Sequence, residues 1–339
     1  MNVAIVGSRD YSNKQHILEF ILTLPSGTTI VSGGARGVDT WAEQYAIEYG
    51  YPTITYPAQW KLANGSVDRG AGFKRNKDII TNATHVVAFW DGKSHGTLNS
   101  IQLALKSKHV QKVEIVLQSG LKFEPSNLYP QIHNKNVYYA TGNLLQSNAK
   151  VLVNPCNTIG VYGAGISHQF ANDDRFKWFI SDYARACRKS LINVGVPYLS
   201  SIPNVWPKVL HFPTKGDWKY GSKLSFIRNG LFSMLRRIEE YAPENSNSFA
   251  FPMLGCGRGG LDWFEVEAVM LESFHLMPEM EFVIYIDNNT FKKSVKPELK
   301  AEPLDTDSYT DEAYYAWQDR QDYLDMEKDN ELDDTDETL

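Results

Sequence analysis

The sequence predicts an α/β protein of two successive domains, each a largely parallel sheet with helices on both faces. Three observations predict it. The chain has 339 residues, enough for two domains of ordinary size. Short β-branched runs alternate with helix-spaced stretches through both halves. Glycine-rich loops fall directly after the strands, at the sheet edge where such folds hold ligands.

In the first half, strands are expected at 3–6, 28–31, 53–56, 85–90 and 113–117, with helices at 13–24, 39–49, 73–82 and 97–108. The stretch 119–136, with Gly120, Pro125, Asn127, Pro130 and Asn134, has linker composition. Strands follow at 137–140, 150–154, 208–212, 248–253 and 281–286, with helices at 164–171, 175–194, 222–241 and 264–276. The expected organisation is a first domain at 1–120, a linker at 121–135, a second domain at 136–290 and an acidic, flexible tail at 291–339. Within the tail, Tyr314, Tyr315, Trp317, Tyr323 and Leu324 lie in a helix-compatible acidic stretch.

Residues 301–339 hold 15 Asp and Glu against 2 Lys and Arg; that leaves 25 acidic and 32 basic residues, a net of +7, in residues 1–300. A mildly basic body is compatible with a nucleotide or nucleic-acid partner, and equally with scattered surface lysines. No apolar run approaches the roughly 20 residues of a membrane span, so no membrane partner is expected. The start, Met1-Asn2-Val3-Ala4-Ile5-Val6, reads as a strand without a secretory leader. Cys156, Cys187 and Cys256 form no metal-binding spacing, and three scattered thiols suit a reducing cytoplasm. Neither a metal nor a required cofactor is expected.

Three loops in the first domain carry chemistry. They are Gly7-Ser8-Arg9-Asp10, then Ser32-Gly33-Gly34-Ala35-Arg36-Gly37-Val38-Asp39, and Asp91-Gly92-Lys93-Ser94-His95-Gly96-Thr97. Glycines let backbone N–H groups approach a phosphate, and a following helix start adds positive potential. Arg9, Arg36 and Arg75 can add charged hydrogen bonds. These stretches, with Phe73-Lys74-Arg75-Asn76, resemble the SLOG superfamily in its YspA-like branch over about residues 1–118. The resemblance implies a Rossmann-like fold and a nucleotide site formed by Gly7, Ser8, Arg9, Gly33, Gly34, Arg36, Gly37, Asp39, Arg75, Asn76, Asp91, Gly96 and Thr97. A homo-oligomer through this domain is a further expectation. Related phosphoribohydrolases carry a Glu shortly after the Gly-Thr pair. Leu98-Asn99-Ser100 stands there instead, which favours binding or sensing.

In the second domain, 151–158 reads Val-Leu-Val-Asn-Pro-Cys-Asn-Thr, and 160–166 reads Gly-Val-Tyr-Gly-Ala-Gly-Ile before a helix. Gly255-Cys256-Gly257-Arg258-Gly259-Gly260-Leu261 follows a later strand. Asn side chains can donate to sugar hydroxyls, and two glycine loops can hold a diphosphate from both sides. With Gly142-Asn143-Leu144-Leu145, Phe212-Pro213-Thr214-Lys215 and Trp218, these stretches resemble the macrodomain family over about 136–288. The likeness is to DarG-type antitoxin macrodomains and terminal ADP-ribose glycohydrolases.

The resemblance implies a three-layer α/β/α fold and an ADP-ribose cleft. That cleft would use Asn143, Leu144, Asn154, Thr158, Gly163, Ala164, Gly165, Ile166, Gly255, Cys256, Gly257, Arg258 and Gly259. Lys215 and Asn157 are the expected catalytic pair, since the equivalent lysine is catalytic in the resembled families. A lysine of lowered pKa can attack an anomeric carbon or steady a leaving group. His168 and Asp173 are secondary candidates, His168 more as a packing residue. Two positions depart from the pattern: Asn143 stands where an adenine-contacting Asp is usual, and Gly259 where the glycohydrolases have an acid.

The expected function is an ADP-ribosyl hydrolase acting on modified DNA, or on modified protein, with a nucleotide-binding module in front. The alternatives are a non-catalytic sensor or sponge for an ADP-ribose-type nucleotide, and an interaction protein whose acidic tail mimics nucleic acid. The pairing of domains resembles parts of phage–host conflict systems.

Overall fold

The computed structural model describes residues 1–61, 66–126, 136–242 and 247–294. They fall into two compact units that divide after Gly120. In the first, β1 (Asn2–Gly7), β2 (Thr29–Ser32), β3 (Thr53–Thr55), β4 (His85–Trp90) and β5 (Lys112–Leu117) stand in the order β3-β2-β1-β4-β5, all parallel. Helices α1 (Lys14–Leu22), α2 (Val38–Glu48), α3 (Ala71–Thr81) and α4 (His95–Lys106) connect them. Central strands of such a sheet are covered on both faces, so Val3, Ala4, Ile5 and Val6 are all buried. Val3 and Ile5 pack in one cluster with Ile17 and Ile21 of α1 and Val38, Ala42 and Ala46 of α2. Strand order reverses between β1 and β4, which places the loops after these two strands at the switch point of the sheet.

The second unit begins with the two-residue β6 (Lys122–Phe123). Its sheet holds β7 (Val137–Ala140), β8 (Val151–Asn157), β9 (Tyr198–Leu199), β10 (Lys208–Lys215), β11 (Ser248–Pro252) and β12 (Glu281–Tyr285). The order is β7-β12-β11-β8-β10-β9, parallel except for the edge strand β9. The helices are α5 (Gly165–Asn172), α6 (Phe179–Arg188), α7 (Leu224–Arg236), α8 (Ile238–Tyr241), α9 (Trp263–Phe274) and α10 (Asn288–Ser294).

Side-chain parity makes this unit three-layered. Val151, Val153, Leu210, Phe212, Phe249 and Phe251 form one apolar cluster with Ile227 and Leu231 of α7 and Trp263 and Met270 of α9. Residues of opposite parity meet the other helices: Asn154 accepts a hydrogen bond from Ser167 of α5, and the His211 ring stacks on Tyr183 of α6.

Three expected stretches differ. The helix expected at 175–194 is a short 3₁₀ turn (Asp174–Phe176) followed by α6. Asp173 caps the turn by accepting from the Arg175 N–H, and the helix is followed by Ser190 at φ 55°. The helix expected at 222–241 breaks at Arg237, whose φ of −130° is not helical. The first part of the expected linker is packed: Ser126 N–H donates to Tyr139 O and Thr141 N–H to Glu124 O. Residues 127–135 and the tail beyond Ser294, including Tyr314 to Leu324, lie outside the described residues. Among the described residues, no helix is long and apolar enough to cross a membrane.

Candidate functional site

In the first unit the sheet gathers the expected loops, and most of their side chains hold one another. The Ser8 hydroxyl lies 3.3 Å from that of Thr97 and accepts from the Asp91 N–H. Asp91 accepts from the N–H groups of Lys93 and Ser94. Asn76 donates to Gly96 O and to Asn99. Asp39 accepts from the N–H groups of Gly33 and Ala35, and Arg75 donates to Gly33 O at 2.6 Å. A Cβ at Gly33 would stand 2.0 Å from the Arg75 guanidinium, so a larger residue there would displace Arg75 from this position. Gly34, Arg36 and Gly37 continue the same loop, with Arg36 exposed; Gly7 ends β1 and Arg9 follows it. Thus Ser8, Asp39, Arg75, Asn76, Asp91 and Thr97 shape these loops, while Arg36, Lys93 and His95 are exposed on them and Arg9 is half-buried.

Asp39 is buried, and burial pushes its pKa up to about 6 against the opposing pull of Arg75 and two backbone N–H groups. Its folded pKa therefore exceeds its unfolded one. The protonated form is favoured by folding below about pH 4, and that stability is lost as pH rises through about 6. Chemical denaturation is expected to show wild-type stability falling by about 2–3 kcal/mol relative to Asp39→Asn between pH 4 and pH 7. Parallel pH profiles of the two proteins would refute this.

The second unit carries a cleft of about 1670 Å³. Ordinary small-molecule sites run to about 1,000 Å³, so this one admits a dinucleotide-sized ligand with a group attached. Of the expected residues, Asn143, Leu144, Asn157, Gly163, Ala164, Gly165, Ile166, Lys215, Gly255, Gly257, Arg258 and Gly259 line it, as do Asp173 and Trp218. The first turn of α5 opens at Gly165 with no side-chain cap from Ala164, so its N–H groups are available to an anion. At Gly163 and Gly257, in two different loops of the cleft wall, the place a Cβ would occupy is empty.

Other expected residues sit elsewhere or are already engaged. Asn154 is fully buried, Cys256 is buried away from the cleft with its thiol donating to Leu254 O, and the Thr158 hydroxyl donates to Gly216 O. His168 is exposed and pairs with Asn172. Asp173 holds Arg175 in a two-point ion pair. Asp262, the nearest acid to the glycine loop, caps α9 by accepting from the N–H groups of Phe264 and Glu265. Asn157 lines the cleft, but its carbonyl oxygen accepts from Ile159 and Val161 while its amide donates to Val161 O. That shapes the loop and leaves one amide proton for a ligand. The Asn143 oxygen accepts from Leu145 N–H, so its NH₂ group, a donor, faces whatever binds beside it.

Lys215 ends β10 beyond an irregularity. Pro213 pairs with Cys156 and Lys215 with Asn157, so one residue of β10 is extra. Such a bulge re-aims side chains, and a proline is tolerated there because no ladder N–H is needed. The Lys215 ammonium donates to Arg258 O at 3.2 Å, which ties β10 to the glycine loop. Partial burial lowers its pKa, and the nearby Arg258 charge lowers it further. The loop leaves no room for an acid at 259: a Cβ on Gly259 would be 2.2 Å from Gly255 O and 2.3 Å from the Ser222 hydroxyl.

A buried polar chain reaches the cleft from behind. Ser167 donates to the Asn154 oxygen at 2.7 Å, and the Asn154 amide donates to His211 Nδ1 at 3.2 Å. That leaves the His211 proton on Nε2, 3.8 Å from an oxygen of Asp182, whose other oxygen accepts from Arg185 at 2.5 Å. Burial holds the His211 pKa down, so the imidazole is neutral at pH 7. The chain ends in the first turn of α5. If the cleft holds the ADP-ribose that the sequence resemblance implies, Ser167→Ala is expected to weaken that binding about fivefold while leaving any maximal rate nearly unchanged, through loss of one buried hydrogen bond. An equal fall in both quantities would contradict a positioning role.

The segment from Tyr285 to Lys292 also lines the cleft, and the sequence reading missed it. It carries no glycine motif; its only signal was its place after the last strand. Among the described residues, no group of three His, Cys, Asp or Glu side chains is placed to hold a metal.

Against known proteins, a family model described as DNA recombination-mediator protein A matches residues 1–59, and the Macro domain model matches 153–270. A Mycobacterium tuberculosis protein named DNA ADP-ribosyl glycohydrolase is 36% identical over 151 residues, 44% of this chain and 42% of that one. A Thermus aquaticus protein of the same name is 32% identical over 170 residues, 49% of this chain and 45% of that one. The chain thus spans less than half the length of these curated relatives. The solved macrodomain of Mycobacterium tuberculosis DarG is 34% identical, covering 45% of this chain and 98% of that one, with a TM-score of 0.41.

Proposed function

From a chain whose second unit belongs to the macrodomain family, we propose a hydrolase that removes ADP-ribose from modified DNA. The observation that carries this is Lys215: a lysine of lowered pKa, tied to the glycine loop, in a cleft sized for a dinucleotide. Curated relatives named for that activity match this half of the chain.

In this reading the diphosphate lies between the α5 N-terminus and the loop from Gly255 to Gly259. The distal ribose then sits beside Asn157 and Lys215. The neutral amine of Lys215 attacks the anomeric carbon as the bond from that carbon to the base breaks; the nitrogen becomes positively charged, and the departing base takes up a proton from solvent, which the attacking water later returns. Water then displaces the lysine nitrogen and releases ADP-ribose. The transition state is oxocarbenium-like, and the neighbouring phosphate charge steadies it. No carboxylate has to act, which agrees with the crowding at Gly259. Asn157 orients the ribose with its remaining amide proton.

The first unit adds a nucleotide-binding module whose loops meet at the β1/β4 switch point. We place the activity in a reducing cytoplasm, consistent with Cys156, Cys187 and Cys256 being unpaired. The test is to incubate the full chain with ADP-ribosylated single-stranded DNA and, separately, with ADP-ribosylated protein, and to follow free ADP-ribose. Release from DNA supports the proposal. Release from protein alone moves the substrate, and none from either with ADP-ribose still bound leaves a sensor.

A further inference from the structure

Shortly after Lys215, in the loop that leads to α7, two large aromatic rings stand in solvent. Trp218 is 53% exposed and Tyr220 71% exposed. Trp218 lines the cleft. The segment that bears them is held in place. Lys219 N–H donates to the Asp217 carboxylate at 3.0 Å, Tyr220 N–H to Asp217 O at 3.3 Å, and Ser222 N–H to Gly259 O at 2.9 Å. The rings are therefore presented by ordered backbone. Neither ring has an aromatic neighbour among the described residues, and Trp218 has only the Lys219 ammonium, 5.8 Å from its centre. Charge points the same way. From Lys215 to Arg228 the sequence has four basic residues, Lys215, Lys219, Lys223 and Arg228, against one acid, Asp217, whose carboxylate is turned to the backbone.

Exposed, unstacked aromatic faces between cations are the elements that bind single-stranded nucleic acid: bases stack on the rings and phosphates meet the cations. An acidic peptide would find the cations but would leave the rings without a partner. We propose that Trp218, Lys219 and Tyr220 form a landing surface for the strand that carries the modification. Trp218 stacks on a base next to the modified one, Tyr220 on the next along, and Lys219 meets the phosphate between them. This rests on the hydrolase reading, and it adds what that reading lacks: how the enzyme holds the strand outside the ADP-ribose cleft. The surface makes a longer strand a better substrate than a single modified nucleoside.

The experiment separates the two ideas. The Lys215→Ala protein keeps the substrate intact, and in that background binding is measured for an ADP-ribosylated single-stranded oligonucleotide, an ADP-ribosylated mononucleoside, an ADP-ribosylated peptide and free ADP-ribose. Tyr220→Ala and Trp218→Ala are then added singly, with Trp218→Phe as the conservative variant. Each stacked base contributes about 1–3 kcal/mol, so each Ala variant is expected to weaken oligonucleotide binding by about 5- to 100-fold. Tyr220→Ala leaves free ADP-ribose and the mononucleoside unaffected, and Trp218→Phe restores most of the loss. Equal affinity of oligonucleotide and mononucleoside for the parent protein overturns the proposal. So does a peptide that loses as much as the oligonucleotide. Failure of the full chain to release ADP-ribose from any substrate tells against the hydrolase reading alone, because these binding measurements need no turnover.

Discussion

Lys215→Ala is expected to lower ADP-ribose release from a modified oligonucleotide by about a thousandfold or more, the scale on which removal of a covalent nucleophile acts. Free ADP-ribose should still bind, since in the proposed placement its diphosphate and adenosine would meet cleft residues other than Lys215. Lys215→Arg should fare no better, because a guanidinium stays protonated and cannot offer a lone pair. The wild-type rate should also rise with pH. The reactive form is the neutral amine, and burial with Arg258 brings the Lys215 pKa below its ordinary value. The plateau is therefore expected at a lower pH than the roughly 10.4 of a free lysine. Single-turnover rates across a pH series check both statements. A variant that retains the wild-type rate would remove Lys215 from the chemistry.

The second large effect concerns Gly259. By the resemblance, terminal ADP-ribose glycohydrolases have an acid there and DarG-type sequences lack it, so Gly259→Glu tests whether an acid can supplement catalysis in this loop. The structure predicts the reverse. The new Cβ would meet Gly255 O and the Ser222 hydroxyl at distances no real side chain tolerates, and the first of these is backbone. The loop must open, which removes the Arg258 carbonyl from Lys215 and one wall of the cleft, where the proposal puts the diphosphate. A stability loss of about 3 kcal/mol or more is expected, as for a severely overpacked site. ADP-ribose affinity should fall at least about 100-fold with it, a loss of about 3 kcal/mol of binding. Denaturant titration and calorimetry of the same preparation read both. A stable variant with faster turnover would mean that the loop is more compliant than its contacts indicate.

Much of the architecture is legible in the sequence, for a physical reason. Parallel strands covered on both faces must be apolar throughout, and Val3 to Val6 announce this without any partner being known. Gly7, Gly37 and Gly259 are legible because a Cβ at each would run into neighbouring backbone. What escapes is what depends on a residue far along the chain. Asn154 looks like a ligand-binding amide until parity is considered. It alternates with Val151 and Val153, which face the α7 and α9 side, so it must face the other way, where His211 and Ser167 receive it. Asn157 reads as a free functional group because the turn it staples, from Ile159 to Val161, is not apparent before folding. The helix expected at 175–194 is too long because amphipathic spacing carries through the capping turn at Asp173. The Tyr285 to Lys292 wall has no local pattern at all.

The extra residue in β10 implies something about how such a protein can change. Every group of the cleft but Thr214 could be retained while Lys215 is turned away, by deleting that one residue between Pro213 and Lys215. A single-codon deletion there would leave a chain that still reads as a hydrolase in composition and motif, and that captures its ligand without releasing it. Gain or loss of turnover in this fold thus lies one frame-preserving indel away. Counts of matching residues would not reveal it, whereas the spacing between the proline and the lysine would.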